Sequence, residues 1–370
     1  MEDREGCIWK EASEAFATEG QLVSCERYGS GHINDTFKMV CGRPYILQRM
    51  NKGIFKDPVS LMRNIQGVTT FLRREVIKHG GDPERETLNL VNTREGGYFY
   101  VDSKGDYWRV YLFIENATCY NLVEKPEDFY QSGKAFGRFQ RMLADYPAGE
   151  LAETIPEFHN TPKRFCTFKE IVERDPKGRA SQVQKEIQFV LDRERDMGIA
   201  MDLLSEGRLP LRVTHNDTKL NNIMIDDATG QAICIIDLDT VMPGLSIFDF
   251  GDSIRFGAGT AEEDEVDLSR VSLSLPLFEA YTRGFLEGCG GSLTKMEVEM
   301  LPQGARLMTL ECGMRFLTDY LEGDVYFKTS REHHNLDRCR TQFKLVEDME
   351  KKWDEMERIL RELASLNHFL

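Results

Sequence analysis

The 370-residue sequence predicts an α+β chain in two lobes, a small antiparallel-sheet lobe over residues 1–114 and a larger, mostly helical lobe over residues 115–370. Three observations carry this. Up to about residue 114 the β-branched, aromatic and apolar residues fall in short runs broken by glycine and polar turns. From Pro126 onward apolar residues recur at three- and four-residue spacing. Three short β segments then interrupt the helical half between Leu211 and Ile236. The length allows each lobe a core of its own.

Taken in order, the turn Tyr28-Gly29-Ser30-Gly31 precedes two strands, Thr36–Val40 and Pro44–Met50. Asp57 is placed to cap a helix with Pro58 in its first turn, and Met62, Ile65, Val68 and Leu72 form one apolar face. Tyr98–Val101 and Trp108–Ile114 read as strands joined by the polar turn Asp102–Asp106. The helix from Pro126 puts Phe129, Phe136 and Leu143 on one side, with Gly133 and Gly137 allowing close packing. Helical stretches continue from Ile187 through Leu204 and end at Gly207. Leu211–Thr214, Asn222–Ile225 and Ala232–Ile236 follow as strands, the last two a hairpin turning through Asp226–Gly230. A charged final helix is expected from about Leu336 to Leu366.

Lys+Arg total 47 against 62 for Asp+Glu, so the net charge of −15 disfavours nucleic acid and anionic membrane surfaces as partners. An anionic ligand must therefore find local cations. The charged start MEDREGCIWK lacks an apolar signal core, and no run of about 18 apolar residues occurs, so a cytoplasmic protein is expected. Nine cysteines without a C-x-x-C pair read as reduced thiols. His333 and His334 have no partner at ligand spacing and read as a polar helix start.

The chemistry concentrates in V-T-H-N-D-T-K-L-N-N-I, where His215, Asp217 and Asn222 have the spacing H-x-D-x-x-x-x-N of a phosphotransfer catalytic loop. A carboxylate there orients and deprotonates an attacking hydroxyl, and an amide oxygen behind it holds magnesium. The hairpin that follows ends in Ile235-Ile236-Asp237, leaving a second hard oxygen ligand at the strand mouth. Asp249-Phe250-Gly251 spells the magnesium-binding D-F-G triplet, but it lies too far beyond Asp217 and is not reached directly from the hairpin. Asp249 is expected instead to accept hydrogen bonds from the catalytic-loop backbone. Asp239 is a competitor for a second metal contact, or else a solvated loop carboxylate.

Beyond the loop, the blocks Y-G-S-G-H-I-N-D-T from Tyr28, Y-I-L-Q-R-M-N from Tyr45, I-I-D-L-D-T-V-M-P-G from Ile235, F-D-F-G-D-S-I-R-F-G from Phe248 and E-C-G-M-R-F-L-T-D-Y-L-E-G-D from Glu311 resemble the N-acetylhexosamine 1-kinases, within the aminoglycoside phosphotransferase and choline kinase superfamily. The resemblance extends over nearly the whole chain. It implies a protein-kinase-like two-lobed fold with ATP and magnesium in the cleft and a small-molecule sugar as acceptor.

On the matching positions, Asp217 would be the base, Asn222 and Asp237 the magnesium ligands, and Lys219 the contact to the γ-phosphate. Gly29, Ser30 and Gly31 would cover the phosphates. The third-strand position that is lysine in protein kinases falls on Gln48, so either Gln48 donates to phosphate or neighbouring Arg49 swings in, and strand alternation puts the two on opposite faces. His32, Asn34, Arg315 and Tyr326 would surround the acceptor. Glu311 and Asp319 flank Arg315 at i−4 and i+4, which offers a surface ion pair as the plainer reading.

Two other functions are compatible with these motifs. A kinase of the same fold could act on choline, homoserine, an aminoglycoside or a plain hexose, cationic acceptors requiring a carboxylate-lined pocket. A nucleotide-binding pseudokinase is disfavoured by the intact Asp217, Asn222 and Asp237.

Overall fold

The computed structural model describes residues 8–29, 33–120, 125–367 and 369, divided into two compact units. The first comprises residues up to Thr118 together with Asp145–Pro156 and Met224–Met242; the second takes Cys119–Ala144, Glu157–Ile223 and Pro243 onward.

In the first unit, strands β1 (Ser24–Arg27), β2 (Asp35–Cys41), β3 (Arg43–Arg49), β4 (Tyr100–Val101) and β5 (Tyr107–Leu112) form an antiparallel sheet in the order β1-β2-β3-β5-β4. Alternation along β2, β3 and β5 sends Phe37, Met39, Tyr45, Leu47, Trp108 and Val110 to one face, where they pack with Ala12 and Phe16 at the end of helix α1 (Ile8–Ala15). The register sets Gln48 opposite Thr36 on β2 and opposite Arg109 on β5.

Helix α2 (Pro58–Lys78) starts where the sequence placed it, with the Asp57 side chain accepting from Ser60 N, and buries Met62, Ile65, Val68 and Leu72. Asn64, on the same buried side, explains why two later segments belong to this unit. Its Nδ2 donates to Ala152 O at 2.8 Å and Val241 O at 3.0 Å, and its Oδ1 accepts from Ala152 N at 2.9 Å. The hairpin is made by β8 (Ile223–Asp226) and β9 (Ala232–Ile235), joined on its outer side by β6 (Ala117–Thr118); β7 (Arg212–Thr214) lies elsewhere.

The second unit is helical. Helix α3 (Pro126–Met142) crosses α9 (Leu275–Cys289) so closely that a Cβ on Gly133 or Gly137 would strike the backbone of Tyr281 or Phe285, and one on Gly284 or Gly288 that of Tyr130 or Lys134. Four glycines at i, i+4 spacing let the two backbones touch. The helical stretches expected here are α5 (Gln184–Leu191), α6 (Glu194–Met197) and α7 (Ile199–Ser205), with α4 (Thr161–Arg174) before them. Gly207 then takes a left-handed φ of 70° beyond the last of them, as its position implied.

Helix α8 (Ser246–Gly257) and α10 (Lys295–Glu299) lead to α11 (Leu301–Glu322), which is buried on nearly every side and forms the centre of this unit. The charged terminal stretch is broken at Lys352 into α12 (His334–Lys351) and α13 (Trp353–Leu366). His333 is the residue before α12 and His334 its first, and His334 Nε2 meets Asp264 at 3.0 Å. The described cysteines are all free thiols, and no helix among the described residues is long and apolar enough to cross a membrane.

Candidate active site

In the second unit the loop after β7 carries Asp217. His215 is fully buried, its ring edge-on to Phe136 and Phe139 of α3 at 5.5 and 6.0 Å between centroids. Asn216 turns the chain with a left-handed φ of 64°. The carboxylate of Asp249, itself 0% exposed on α8, accepts from His215 N and Asn216 N at 2.8 Å each and from Gln140 Nε2 at 3.0 Å. Its main-chain oxygen accepts from Thr218 Oγ1 at 2.9 Å. Asp249 thus bonds the loop backbone as its place beyond the hairpin implied. Burial pushes this carboxylate above its ordinary range, against the pull of His215 and the two amides.

The loop brings three of the expected residues together. Lys219 Nζ lies 2.8 Å from Asp217 Oδ1, and Asn222 Nδ2 donates to Asp217 O at 2.8 Å and to Oδ2 at 3.0 Å. Burial would depress the Lys219 ammonium, but Asp217 outweighs it and holds it above the usual lysine range. Both Asn222 bonds are given by its nitrogen, which leaves Oδ1 as a hard oxygen not engaged in either.

Arg315 and Tyr326 also meet within this unit. The Arg315 guanidinium lies 5.7, 5.8 and 5.4 Å from the ring centroids of Phe158, Tyr326 and Phe327. Among the described residues it has no hydrogen-bond or ion-pair partner. The flanking carboxylates are spent elsewhere, which removes the surface ion pair. Glu311 is buried and bonded by Thr161 Oγ1 at 2.6 Å and His159 Nδ1 at 2.9 Å, with Arg164 at 3.6 Å. Burial would raise Glu311, yet His159 and Arg164 hold it below the usual carboxylate range. Asp319 accepts from the backbone N–H groups of Val325, Tyr326 and Phe327 and from Asn335 Nδ2. Tyr326 is 68% exposed.

In the first unit, Asp237 stands exposed just past β9 with φ 57° and ψ 59°. Asp239 corrects the expectation of a solvated carboxylate: it is 4% exposed, and each of its oxygens has a protein donor. Oδ1 accepts from Arg109 Nη1 at 2.5 Å and Oδ2 from Asn34 Nδ2 at 2.6 Å. Gln48 is bound at both ends of its amide, donating to Thr36 Oγ1 and accepting from Arg109 Nε, each at 3.0 Å. Arg49 pairs with Asp35 at 2.5 Å and Asp106 at 3.3 Å. The buried cation beside Gln48 is Arg109, which motif order did not single out. Motif spacing carries no signal for it; the register that sets it opposite Gln48 belongs to the folded sheet. Asn34 Oδ1 accepts from Asn51 N at 3.0 Å. Gly29 has a left-handed φ of 77°, whereas Ser30, Gly31 and His32 lie outside the described residues.

A family model for phosphotransferase enzymes, APH, matches residues 24–283, a span that includes the Asp217 loop, the hairpin and Asp249. The chain belongs to the APH phosphotransferase enzyme family. Solved structures agree with that membership in fold. An amicoumacin kinase in complex with AMP-PNP and Ca²⁺ superposes with a TM-score of 0.57 at 14% identity, over 95% of this chain and 94% of its own. A microcompartment-associated aminopropanol kinase gives 0.56 at 12%, over 94% and 97%. An aminoglycoside phosphotransferase from Alicyclobacillus acidocaldarius gives 0.56 at 12%, over 96% of each chain. The APH chain described here therefore has the protein-kinase-like α+β fold expected of it.

The donor chemistry of this APH chain suits magnesium. Asn222 Oδ1 in the second unit is a hard oxygen, and so, in the first, is the Asp237 carboxylate; magnesium takes ligands of that kind.

Proposed function

We propose that this phosphotransferase moves the γ-phosphoryl group of ATP to the anomeric hydroxyl of N-acetylglucosamine or N-acetylgalactosamine, giving the sugar 1-phosphate. The observation that carries the acceptor class is Arg315. A half-buried guanidinium held among three rings, with its neighbouring carboxylates satisfied elsewhere, offers directional donors to hydroxyl and amide oxygens. The solved relatives are named for aminopropanol and aminoglycosides, amine-bearing acceptors. A cationic acceptor needs unspent carboxylates, and Glu311 and Asp319 beside Arg315 are already bonded. That favours a neutral sugar.

In this reading Asp217 accepts the proton of the attacking hydroxyl and aligns it for in-line attack. Lys219, which lies 2.8 Å from Asp217 Oδ1, would contact the γ-phosphate. Asn222 and Asp237 hold magnesium. Bound magnesium supplies charge neutralisation on the transferred group.

The test is an ATP-consumption screen over free hexoses, N-acetylhexosamines, choline and aminoglycosides, with phosphorus NMR of the product. Both N-acetylhexosamines should yield a 1-phosphate, and choline and aminoglycosides should be inert. Methyl N-acetylglucosaminide, blocked at C1, should not react, whereas a 6-deoxy analogue should. Phosphorylation of the methyl glycoside would overturn the anomeric assignment.

A further inference from the structure

The sheet face bearing Gln48 holds a buried ion pair that the catalytic motifs leave unexplained. Arg109, 1% exposed, donates from Nε to Gln48 and from Nη1 to Asp239, and its guanidinium lies 5.3 Å from the Tyr111 ring centroid. Burial alone would depress the guanidinium, but the Asp239 charge outweighs it, with Tyr111 and Asp237 adding to the effect, so Arg109 stays charged. Asp239 is bound on its other oxygen by Asn34, which is fixed in turn by Asn51 N.

Two residues upstream, Asp237 occupies the left-handed region at φ 57°, uncommon outside glycine though tolerated better by Asp and Asn than by other residues. Such a torsion persists where the surroundings over-determine it. Downstream, the short turn Leu238–Thr240 closes through Val241 N to Leu238 O, and Val241 O is held by Asn64. Between Asp237 and that anchor, Asp239 is tied by Arg109 and Asn34. A buried ion pair is a costly way to gain stability, and its best-attested use is to specify one conformation.

We propose that Arg109, acting through Asp239, holds the loop from Asp237 to Val241 in the conformation that presents the Asp237 carboxylate to a divalent cation. Arg109 and Asp239 are positioning residues, and Asp239 is not itself a ligand. This rests on the reading of Asp237 as a magnesium ligand.

The experiment is calorimetric titration of the full chain with AMP-PNP, in Mg²⁺ and again in EDTA, with circular dichroism to establish folding. Asp237→Asn is the benchmark and should weaken the Mg²⁺-dependent binding by at least about tenfold while leaving binding in EDTA nearly unchanged. The double variant Arg109→Met with Asp239→Leu strands no buried charge and should lose about 10- to 100-fold in Mg²⁺-dependent binding. Arg109→Lys, which keeps the charge, should recover part of that loss. A folded double variant that binds Mg²⁺ and AMP-PNP as the wild type does overturns the proposal while leaving the ligand reading intact. An unmoved Asp237→Asn overturns the ligand reading itself. If the double variant fails to fold, the near-isosteric Asp239→Asn takes its place: it should show the same loss, and wild-type Mg²⁺-dependent binding there overturns the proposal.

Discussion

Asp249 receives the backbone N–H groups of both His215 and Asn216, at 2.8 Å each, immediately before Asp217 in the chain. One buried carboxylate on α8 therefore sets the path of the catalytic loop without standing in it. Asp249→Ala would leave two buried amides without their acceptor, while Gln140 Nε2 keeps Val213 O. The expected cost is about 2–6 kcal/mol in urea-induced unfolding, each orphaned buried donor costing roughly 1–3 kcal/mol. A variant within about 1 kcal/mol of wild type would remove this role.

Asp217→Asn tests the base. It keeps the shape and a hydrogen-bonding amide while removing the proton acceptor, so kcat should fall about 10²- to 10⁴-fold with ATP binding largely retained. Calorimetry checks the binding, and a single-turnover assay checks the rate. More than half the wild-type kcat would exclude Asp217 as the base.

Arg315→Ala should separate binding from stability. Arg315 has no hydrogen-bond or ion-pair partner among the described residues, so its removal costs contacts with the three rings, at about 0.5–1 kcal/mol each, and its charge near Glu311, which keeps His159, Thr161 and Arg164. The sugar KM should instead rise by roughly 1.5–3 kcal/mol equivalent, about 10- to 150-fold, with the ATP KM unmoved. Steady-state kinetics varying each substrate in turn would show an unchanged sugar KM if Arg315 serves packing alone.

Acid should reveal the hairpin turn. Arg85, at 2.9 Å, and the Thr229 hydroxyl and N–H hold the Asp226 carboxyl down to about 2, against 3.8 ordinarily. A carboxylate whose folded value is depressed contributes stability above its unfolded value and loses it as the pH falls through the folded one. The contribution is thus present above about pH 4 and fades toward pH 2. Asp226→Asn should melt lower at pH 7, and its Tm should fall less steeply than that of wild type between pH 4 and pH 2.

Local pattern determined much of this protein from sequence alone. The alternation of β2 and β3, the Asp57 cap and Pro58 of α2, the glycines of α3, and the spacing of Asp217 to Asn222 all follow from periods of two to five residues, because backbone geometry at that range is independent of the rest of the chain. Tertiary structure decided who pairs with whom. Arg109 meets Gln48 across 61 residues and Asp239 across 130, a pairing created by sheet register and by Asn64 fastening the distant loop. The same competition settled Arg315. Glu311 and Asp319 stand at helical spacing from it, but His159, Thr161 and Arg164 claim the first and the amides of residues 325–327 the second. A buried carboxylate keeps the donors that satisfy it best, and those were distant in sequence.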